Sequence, residues 1–268
     1  MILQIHGDYM RDKDLRQRDR PYFDSHLYFI YNPRTMTRYS TCIFDVGGTI
    51  LRLNVQAMAH IYVDACHALG APTEFARACA VIETLERELP IRQQQRLVSL
   101  EHNNGKDFWI DFYTDGFRRL GVTGDVYPHA DDIRARFQRA EFETLFDDVL
   151  PALDALAARG IHLGILSNFS INLENVLRQV GVHHYFSFFV VSAVAGMEKP
   201  DPQIFELAIR ATHQPREKLV YVGDSVFHDI QGARQVGMDA ILIDRKNQHP
   251  DFSGTRLASL TELAKHLE

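Results

Sequence analysis

The stretch of sequence that decides the fold is Thr41-Cys42-Ile43-Phe44-Asp45-Val46-Gly47-Gly48-Thr49-Ile50-Leu51. A short apolar run ends in the carboxylate of Asp45 and is then broken by two glycines, Gly47 and Gly48. This pattern predicts a buried strand and a tight loop, with Asp45 at the edge of an open α/β sheet where such sheets bind ligands. Glycines let backbone N–H groups approach an anion closely. A carboxylate beside such amides indicates a nucleophile that a cation screens.

The overall composition limits the classes of partner. The 268 residues are 46% hydrophobic and 24% charged, with a formal net charge of −6, which is ordinary for a globular protein. This charge provides no electrostatic attraction to nucleic acid or anionic membranes, so we expect neither as a partner. The three cysteines lack metal-ligand spacing, and neither a leader nor an apolar stretch of bilayer length stands out. Reduced thiols and a cytoplasmic location are therefore predicted.

The residue pattern divides the chain into three parts. Residues 1–38 contain a dense mixture of both charge signs, at 11–21, and no lasting helix or strand period, which predicts a poorly ordered N-terminal extension. Residues 54–147 carry four helical patterns and predict an inserted helical domain. The core domain is predicted to comprise residues 39–53 and 148–268. The four predicted helices of the insertion are 55–69, 75–89 (ending at Pro90), 108–120 and 131–145.

Strand and helix patterns alternate after residue 150. Strands separated by helices of about ten residues imply a parallel sheet with helices on both faces. The predicted fold class is therefore α/β, a Rossmann-like doubly wound parallel sheet with an inserted helical domain. The predicted strands of this part are 161–166, 186–191, 219–222 and 240–243.

Polar residues stand where the predicted strands end. Parallel strands present their carboxyl ends on one edge of a sheet, so we expect these side chains to converge. Two carboxylates would suit Mg²⁺, and a hydroxyl with an ammonium group would neutralise a phosphate on the other side. Each motif read alone fits an ordinary turn or helix cap, but their order and matching positions favour one shared site. The residues are Asp45, Ser167, Asn168, Lys199, Asp224 and, one helical turn later, Asp229.

Four segments resemble the four motifs of the haloacid dehalogenase (HAD) superfamily, and the resemblance covers residues 40 to 245. The helical insertion is similar to the cap domain of the subgroup that includes phosphoglycolate phosphatases and haloacid dehalogenases. Within that subgroup, residues 168–169 and 196–202 look most like the branch named after a rhythmically expressed insect protein. The four segments are Phe44-Asp45-Val46-Gly47-Gly48-Thr49, Leu166-Ser167-Asn168, Lys199-Pro200-Asp201 and Gly223-Asp224-Ser225-Val226-Phe227-His228-Asp229.

The resemblance implies a phosphatase that acts on a small phosphorylated molecule with Mg²⁺ as its cofactor. Asp45 would attack phosphorus and form an aspartyl-phosphate, and Lys199 would be the second catalytic residue. The helical cap would close over the site and select the substrate. The implied metal ligands are Asp45, the backbone carbonyl of Gly47, Asp224 and Asp229, and the implied phosphate-binding residues are Val46, Gly47, Ser167, Asn168 and Lys199.

One position departs from the pattern of the HAD phosphatases. They carry a second aspartate two residues after the nucleophile, as general acid and base, and this chain has Gly47 there. Without a positioned acid or base, proton transfer slows by a factor of about 10² to 10⁴.

This departure leaves three alternatives open. One is a protein that binds phosphate and Mg²⁺ with little or no turnover. Another is a haloacid dehalogenase, whose halide leaves without a proton, although crowded carboxylates at Asp224 and Asp229 call for a cation and argue against it. The third is a phosphonate-cleaving enzyme, which would use Lys106 from the insertion. The oligomeric state stays open.

Overall fold

The structure, a computed structural model, describes residues 37–93 and 96–267. The predicted N-terminal extension, residues 1–38, therefore lies outside the described residues except for its last two. Six of the eight described strands form one sheet in the order β5-β4-β1-β6-β7-β8, and every neighbouring pair is parallel. The strands are β1 (Thr41–Phe44), β2 (Leu51–Leu53), β3 (Glu143–Leu145), β4 (His162–Ser167), β5 (Phe188–Val191), β6 (Leu219–Gly223), β7 (Asp239–Ile243) and β8 (Arg256–Leu257).

Strand β1 lies in the middle of this sheet because its residues are apolar on both faces. Phe44 pairs with Ile165 of β4 on one side and with Val222 of β6 on the other. Its consecutive residues Ile43 and Phe44 belong to hydrophobic clusters on opposite faces of the sheet. A strand buried on both faces reads as a continuous apolar run, which is the pattern seen before Asp45.

Helices cover both faces of the sheet and fill the segment between β2 and β3. Local signals explain several of their starts: the Asn54 side chain accepts a hydrogen bond from the N–H of Ala57 (3.0 Å), and Asp201 caps a helix that has Pro202 at its first position. The helices are α1 (Val55–Ala68), α2 (Phe75–Gln93), α3 (His102–Arg119), α4 (Tyr127–Gln138), α5 (Val149–Ala158), α6 (Leu173–Gln179), α7 (Ser192–Ala195), α8 (Pro202–Thr212) and α9 (Gly232–Gln235), with a π-helical turn at Val226–Gln231 and a 3-10 helix at Leu260–His266.

Two predicted helix ends are wrong. Helix α2 continues through Pro90 to Gln93, because a proline in the last turn removes only the bond from its own nitrogen. Helix α4 ends at Gln138 instead of reaching residue 145, since Ala140 adopts the left-handed backbone conformation (φ 55°) that stops a helix. Helix α3 also starts earlier than the predicted residue 108.

The chain enters and leaves the helical segment through a two-stranded antiparallel ribbon that the sequence patterns do not indicate. Strand β2 pairs with β3, with Leu51 opposite Leu145 and Leu53 opposite Glu143. The two strands are only three residues long and lie about ninety residues apart in sequence, so no local period indicates their pairing. The ribbon joins directly to the loop that follows Asp45, through a bridge between Gly47 and Leu51.

The helical segment has a hydrophobic core of its own. Phe112, Tyr113 and Phe117 lie in a buried cluster with Tyr62, whose ring centroid is 4.4 Å from that of Phe117. These aromatic side chains therefore pack within the segment, as their helical spacing favours. Within the described residues, no helix is both long and apolar enough to cross a membrane. The Rossmann-like parallel α/β fold predicted from the sequence is confirmed.

Candidate active site

The carboxyl ends of β1, β4 and β6 bring the predicted polar residues to one edge of the sheet. Asp45 directly follows β1, Ser167 is the last residue of β4, and Asp224 directly follows β6. Because β4 and β6 are the two neighbours of β1, these residues are adjacent across the sheet. This is the place where open parallel sheets bind ligands.

Asp45 is held by two side chains that meet the same carboxylate oxygen. The Ser167 hydroxyl donates a hydrogen bond to Oδ1 of Asp45 (2.9 Å), and Nζ of Lys199 donates to the same atom (2.6 Å). All three residues are buried. Burial raises the pKa of Asp45, and the Lys199 ammonium opposes that rise. Asp45 is therefore fixed in direction, with Oδ1 occupied.

The ammonium of Lys199 makes three hydrogen bonds, the most it can donate. Besides Asp45, Nζ contacts Oδ1 of Asp229 at 2.6 Å and the Tyr221 hydroxyl at 3.0 Å. Burial alone would lower the pKa of Lys199, but the carboxylates of Asp229 and Asp45 raise it above its usual value. Lys199 is thus a permanent cation that joins the end of β1 to the turn after β6.

Asn168 fixes the main chain of Lys199. Its side-chain carbonyl accepts from the Lys199 N–H (2.8 Å), and its side-chain NH₂ donates to the Lys199 carbonyl (3.0 Å). Both polar groups of the amide are used in this pairing. The phosphate-binding role predicted for Asn168 stays a prediction, and the observed contacts give it the task of positioning Lys199.

Tyr221 is a site residue that the sequence patterns did not single out. Its hydroxyl lies 2.8 Å from the carbonyl oxygen of Leu166 and 3.2 Å from Oδ1 of Asp229, in addition to accepting from Lys199. It lies inside strand β6 and is fully buried, so it reads as one more apolar strand residue. The one feature of the sequence that could have indicated a role for Tyr221 is its hydroxyl group, because a buried tyrosine hydroxyl needs a polar partner.

Three carboxylates lie close together here, and two of them are paired with this lysine. Asp45, Asp224 and Asp229 each offer an oxygen, and these oxygens lie within 4.8 Å of one another. Burial, followed by the charges of Asp45 and Asp229, raises the pKa of Asp224 well above its usual value. Ionised, the three carboxylates exceed the single charge of Lys199 by two negative charges. Such a cluster suits a small divalent cation with oxygen ligands.

The two glycines of the loop have different surroundings. Gly48 has a positive φ of 74°, and a Cβ built on it would lie 2.0 Å from Oδ2 of Asp224, so a side chain there would be strained and would displace that carboxylate. A Cβ built on Gly47 meets no heavy atom within 4 Å. Val46 and Gly47 directly follow Asp45, and their predicted roles in binding phosphate and metal stay predictions.

The geometry agrees with the comparison to known proteins. The haloacid dehalogenase-like hydrolase family matches residues 39–237. This match spans well over half of the chain, and the chain therefore belongs to that family and is a hydrolase. The predicted HAD resemblance is confirmed at this level, whereas the narrower branch within the subgroup stays a prediction.

Two relatives illustrate the similarity in sequence. The haloacid dehalogenase-like hydrolase domain-containing protein 3 of Homo sapiens is 32% identical over 212 residues, covering 75% of this chain and 80% of the human protein. A phosphoserine phosphatase of Thermus thermophilus is 26% identical over 242 residues, covering 82% of this chain and 96% of its own.

Two solved structures share the fold. The HAD-hydrolase YfnB of Bacillus subtilis, crystallised with bound magnesium, aligns with a TM-score of 0.63 at 20% identity, covering 86% of this chain and 99% of its own. The L-2-haloacid dehalogenase of Xanthobacter autotrophicus aligns with a TM-score of 0.64 at 16% identity, covering 85% and 97%. At these identities the similarity shows the fold alone.

Proposed function

We propose that this protein is a Mg²⁺-dependent phosphatase that hydrolyses a small phosphorylated metabolite through an aspartyl-phosphate on Asp45. One observation carries the proposal: three carboxylates lie together beside the buried Lys199, two of them paired with it, and in their ionised form they exceed its charge by two. A divalent cation would neutralise these charges and make room for a phosphate. The phosphatase named among the relatives in sequence supports the same reaction class.

The residues present fit the proposed Mg²⁺. Asp45, Asp224 and Asp229 would hold it, with the backbone carbonyl of Gly47 as the further ligand predicted from the sequence. Mg²⁺ prefers a few carboxylates and leaves positions for water and phosphate oxygens, which a cluster of this size allows. When bound, the cation neutralises negative charge on the site and on the phosphate.

The hydrogen bonds around Asp45 support Oδ2 as the nucleophilic atom. Ser167 and Lys199 both occupy Oδ1, so Oδ2 is the oxygen left to attack phosphorus. The new Oδ2–P bond forms as the bond from phosphorus to the leaving oxygen breaks, and that oxygen takes up a proton from a water molecule. Water then cleaves the aspartyl-phosphate, which releases inorganic phosphate and restores the Asp45 carboxylate.

Because residue 47 is a glycine, the rate should depend on how readily the leaving oxygen departs without a proton. No side chain at this position can donate a proton, and the open space beside it admits water or part of the substrate. Substrates whose leaving oxygen is acidic need little protonation and lose least of the factor of about 10² to 10⁴. We therefore infer a preference for phosphate esters with acidic leaving groups.

We propose further that residues 54–147 act as a cap that covers the site and selects the substrate. The support is topological, because the ribbon that carries this segment connects directly to the Asp45 loop. Because this connection is short, a movement of the segment would shift the loop that follows Asp45. The small-molecule partner and the cytoplasmic location belong to the same proposal.

Gly47 also favours the two main alternatives. A haloacid dehalogenase needs no leaving-group proton, and a binding protein needs no turnover at all. The carboxylate cluster distinguishes them, because a dehalogenase has no use for the cation that this cluster attracts. Lys106, the lysine that phosphonate cleavage would need, makes an ion pair with Asp131 (3.3 Å) within the helical segment.

The test is hydrolysis of an activated aryl phosphate with Mg²⁺ or with a chelator. Wild type is expected to turn over only with Mg²⁺, and Asp45→Asn, which keeps the size of the side chain, is expected to lose turnover. Gly47→Asp is expected to raise the rate by up to about 10²-fold, because the site has room for the new acid. Thermal unfolding provides a second measurement: Mg²⁺ should raise the Tm of wild type more than that of Asp224→Asn.

The outcomes separate the three functions. Retained phosphatase activity in Asp45→Asn would rule out the nucleophile. Equal Mg²⁺ shifts in wild type and Asp224→Asn would rule out the metal site. Turnover only after Gly47→Asp would favour the binding protein, and metal-independent release of halide from a 2-haloacid would favour the dehalogenase.

A further inference from the structure

Arg245 makes contacts that its position in the sequence does not suggest. It lies just after β7, in the loop that leaves the same edge of the sheet as the Asp45 loop. Its Nη2 donates to the carbonyl oxygen of Thr49 (2.8 Å), and its Nη1 donates to Oδ2 of Asp148 (2.6 Å). The guanidinium also stacks on Phe146, with Cζ 3.9 Å from the ring centroid. Its side chain is only 15% exposed.

The first of these partners belongs to the nucleophile loop. Thr49 is fully buried and lies four residues after Asp45. The turn itself is closed by bonds from the N–H groups of Ile50 and Leu51 to the carbonyl of Val46, both 2.8 Å. The bond from Arg245 to Thr49 therefore anchors this turn to the body of the protein from outside.

The other partners lie where the helical segment returns to the sheet. Phe146 directly follows strand β3 of the ribbon, and its N–H donates to the carbonyl of Ile50 (3.2 Å). Asp148 precedes helix α5 and also accepts from the Ser259 hydroxyl (2.7 Å) and the Leu260 N–H (2.8 Å). Burial alone would raise the pKa of Asp148, yet its hydrogen bonds, led by the one from Arg245, lower it overall. These hydrogen bonds attach the junction of the helical segment to the loop after β7 and to the start of the 3-10 helix at Leu260–His266.

We propose that Arg245 is a positioning residue that fixes the Asp45 loop against the junction at Phe146 and Asp148, and so couples the helical segment to the nucleophile. The proposal rests on the proposed function, since it gives the phosphatase one more residue. The planar fork of an arginine holds both partners in one fixed geometry while it stacks on Phe146, whereas a lysine ammonium is a point charge without that fork. Arg245 acts through Thr49 and touches no reacting atom.

The expected effect follows from the sensitivity of catalysis to alignment. A displacement of about 1 Å at a nucleophile can cost about 10²-fold in rate. Arg245→Ala is therefore expected to lower kcat for the aryl phosphate by about 10- to 100-fold and to change KM much less. Arg245→Lys is expected to fall between Arg245→Ala and wild type. Millimolar guanidinium is expected to restore part of the lost rate in Arg245→Ala, because the cation can occupy the vacated position.

A control with the same two kinds of hydrogen-bond partner is available at the opposite edge of the sheet. Arg216, just before β6, also bridges a main-chain carbonyl and a carboxylate, those of Val236 and Glu206. It has no link to the Asp45 loop through these contacts. Arg216→Ala is expected to keep the wild-type kcat and to show no response to guanidinium, even if it unfolds at a lower temperature.

Amide hydrogen exchange tests the coupling without any activity. In Arg245→Ala, exchange is expected to rise together in residues 46–51 and 144–149, whereas Arg216→Ala leaves both segments as in wild type. If wild type proves inactive on every phosphate ester, the paired rise in exchange would still support the positioning role while the proposed function fails. A wild-type kcat in Arg245→Ala, or exchange that rises in only one of the segments, would overturn the inference.

Discussion

Lys199 is the residue on which the candidate site depends. A buried ammonium is stable only when it is paired, and here it is paired with two carboxylates and a phenol. Removing either carboxylate would leave the buried ammonium with one charged partner instead of two. The same arrangement fixes Oδ1 of Asp45, while Ser167 and Lys199 leave Oδ2 without a hydrogen bond from their side chains. Stability and the proposed chemistry therefore depend on the same contacts.

Glu143 presents a second buried charge, on the ribbon that joins the helical segment to the sheet. Its Oε2 is buried and makes no hydrogen bond within the described residues, and burial raises the pKa of its carboxyl from 4.5 to about 7. Because the folded state holds this proton more tightly than the unfolded state, the contribution of Glu143 to the free energy of unfolding is fully present below about pH 4.5. It falls as the pH rises toward 7, by about 3 kcal/mol at most.

We predict that Glu143→Gln removes this pH dependence. A neutral amide has no charge to bury, so the variant should be more stable than wild type at about pH 8 and similar to it at about pH 4.5. The free energy of unfolding, measured in urea at both pH values, checks this. The exposed Glu217, changed to Gln, serves as the control and should follow wild type. Equal effects of Glu143→Gln at the two pH values would contradict the prediction.

At the scale of elements, strand β4 depends on a residue without a side chain. Gly164 lies opposite Phe188 of β5, and a Cβ built on it would lie 2.0 Å from the Phe188 ring. Gly164 is thus needed for the close approach of this ring, and not for an unusual backbone angle. The ring fills the space that a side chain on β4 would take.

We predict that Gly164→Ala destabilises the protein by about 1–3 kcal/mol, because the ring must move. The double variant Gly164→Ala with Phe188→Leu should recover part of this loss, since the smaller side chain relieves the clash. Gly124, whose built Cβ meets nothing within 4 Å, is the control, and Gly124→Ala should be nearly neutral. Chemical denaturation of the four proteins checks these values. If Gly164→Ala left the free energy of unfolding unchanged, the Phe188 ring on β5 would move aside without cost, and the prediction would be wrong.

The elements also show which parts of the site the sequence could predict. Asp45, Ser167 and Asp224 stand at strand ends that apolar runs of four to six residues already mark. Asp229 is placed by the π-helical turn, where its Oδ2 accepts from the N–H of Ser225 (2.9 Å). Ribbon β2–β3 could not be predicted in the same way, because strands of three residues carry no detectable period.

At the scale of the molecule, the hydrophobic residues of the helical segment and those of the sheet form separate clusters. Phe117 is fully buried in the cluster of the helical segment. Phe205 is fully buried beside the sheet, where its ring lies 5.3 Å from that of Tyr221, the residue that holds Lys199. The two phenylalanines are therefore matched in burial but differ in their connection to the site.

We predict that Phe117→Leu and Phe205→Leu each cost on the order of 1–2 kcal/mol in stability, and that their responses to Mg²⁺ differ. Phe117→Leu should keep the full rise in Tm on adding Mg²⁺, because every proposed ligand lies at the edge of the sheet, outside the helical segment. Phe205→Leu should show a smaller rise, since it loosens Tyr221. Thermal unfolding with and without Mg²⁺ checks both. An equal loss of the Mg²⁺ effect in the two variants would contradict this division.

The sequence by itself determined the order of strands and helices after residue 150, the parallel sheet and the polar residues at its edge. These follow from local patterns, since burial sets the period of apolar residues and a strand end sets where a side chain emerges. Only the tertiary structure decided the ribbon β2–β3, the three contacts of Lys199 and the bridge made by Arg245. Each of these joins residues far apart in the chain, and the hydrogen bonds that define them exist only once the chain has folded.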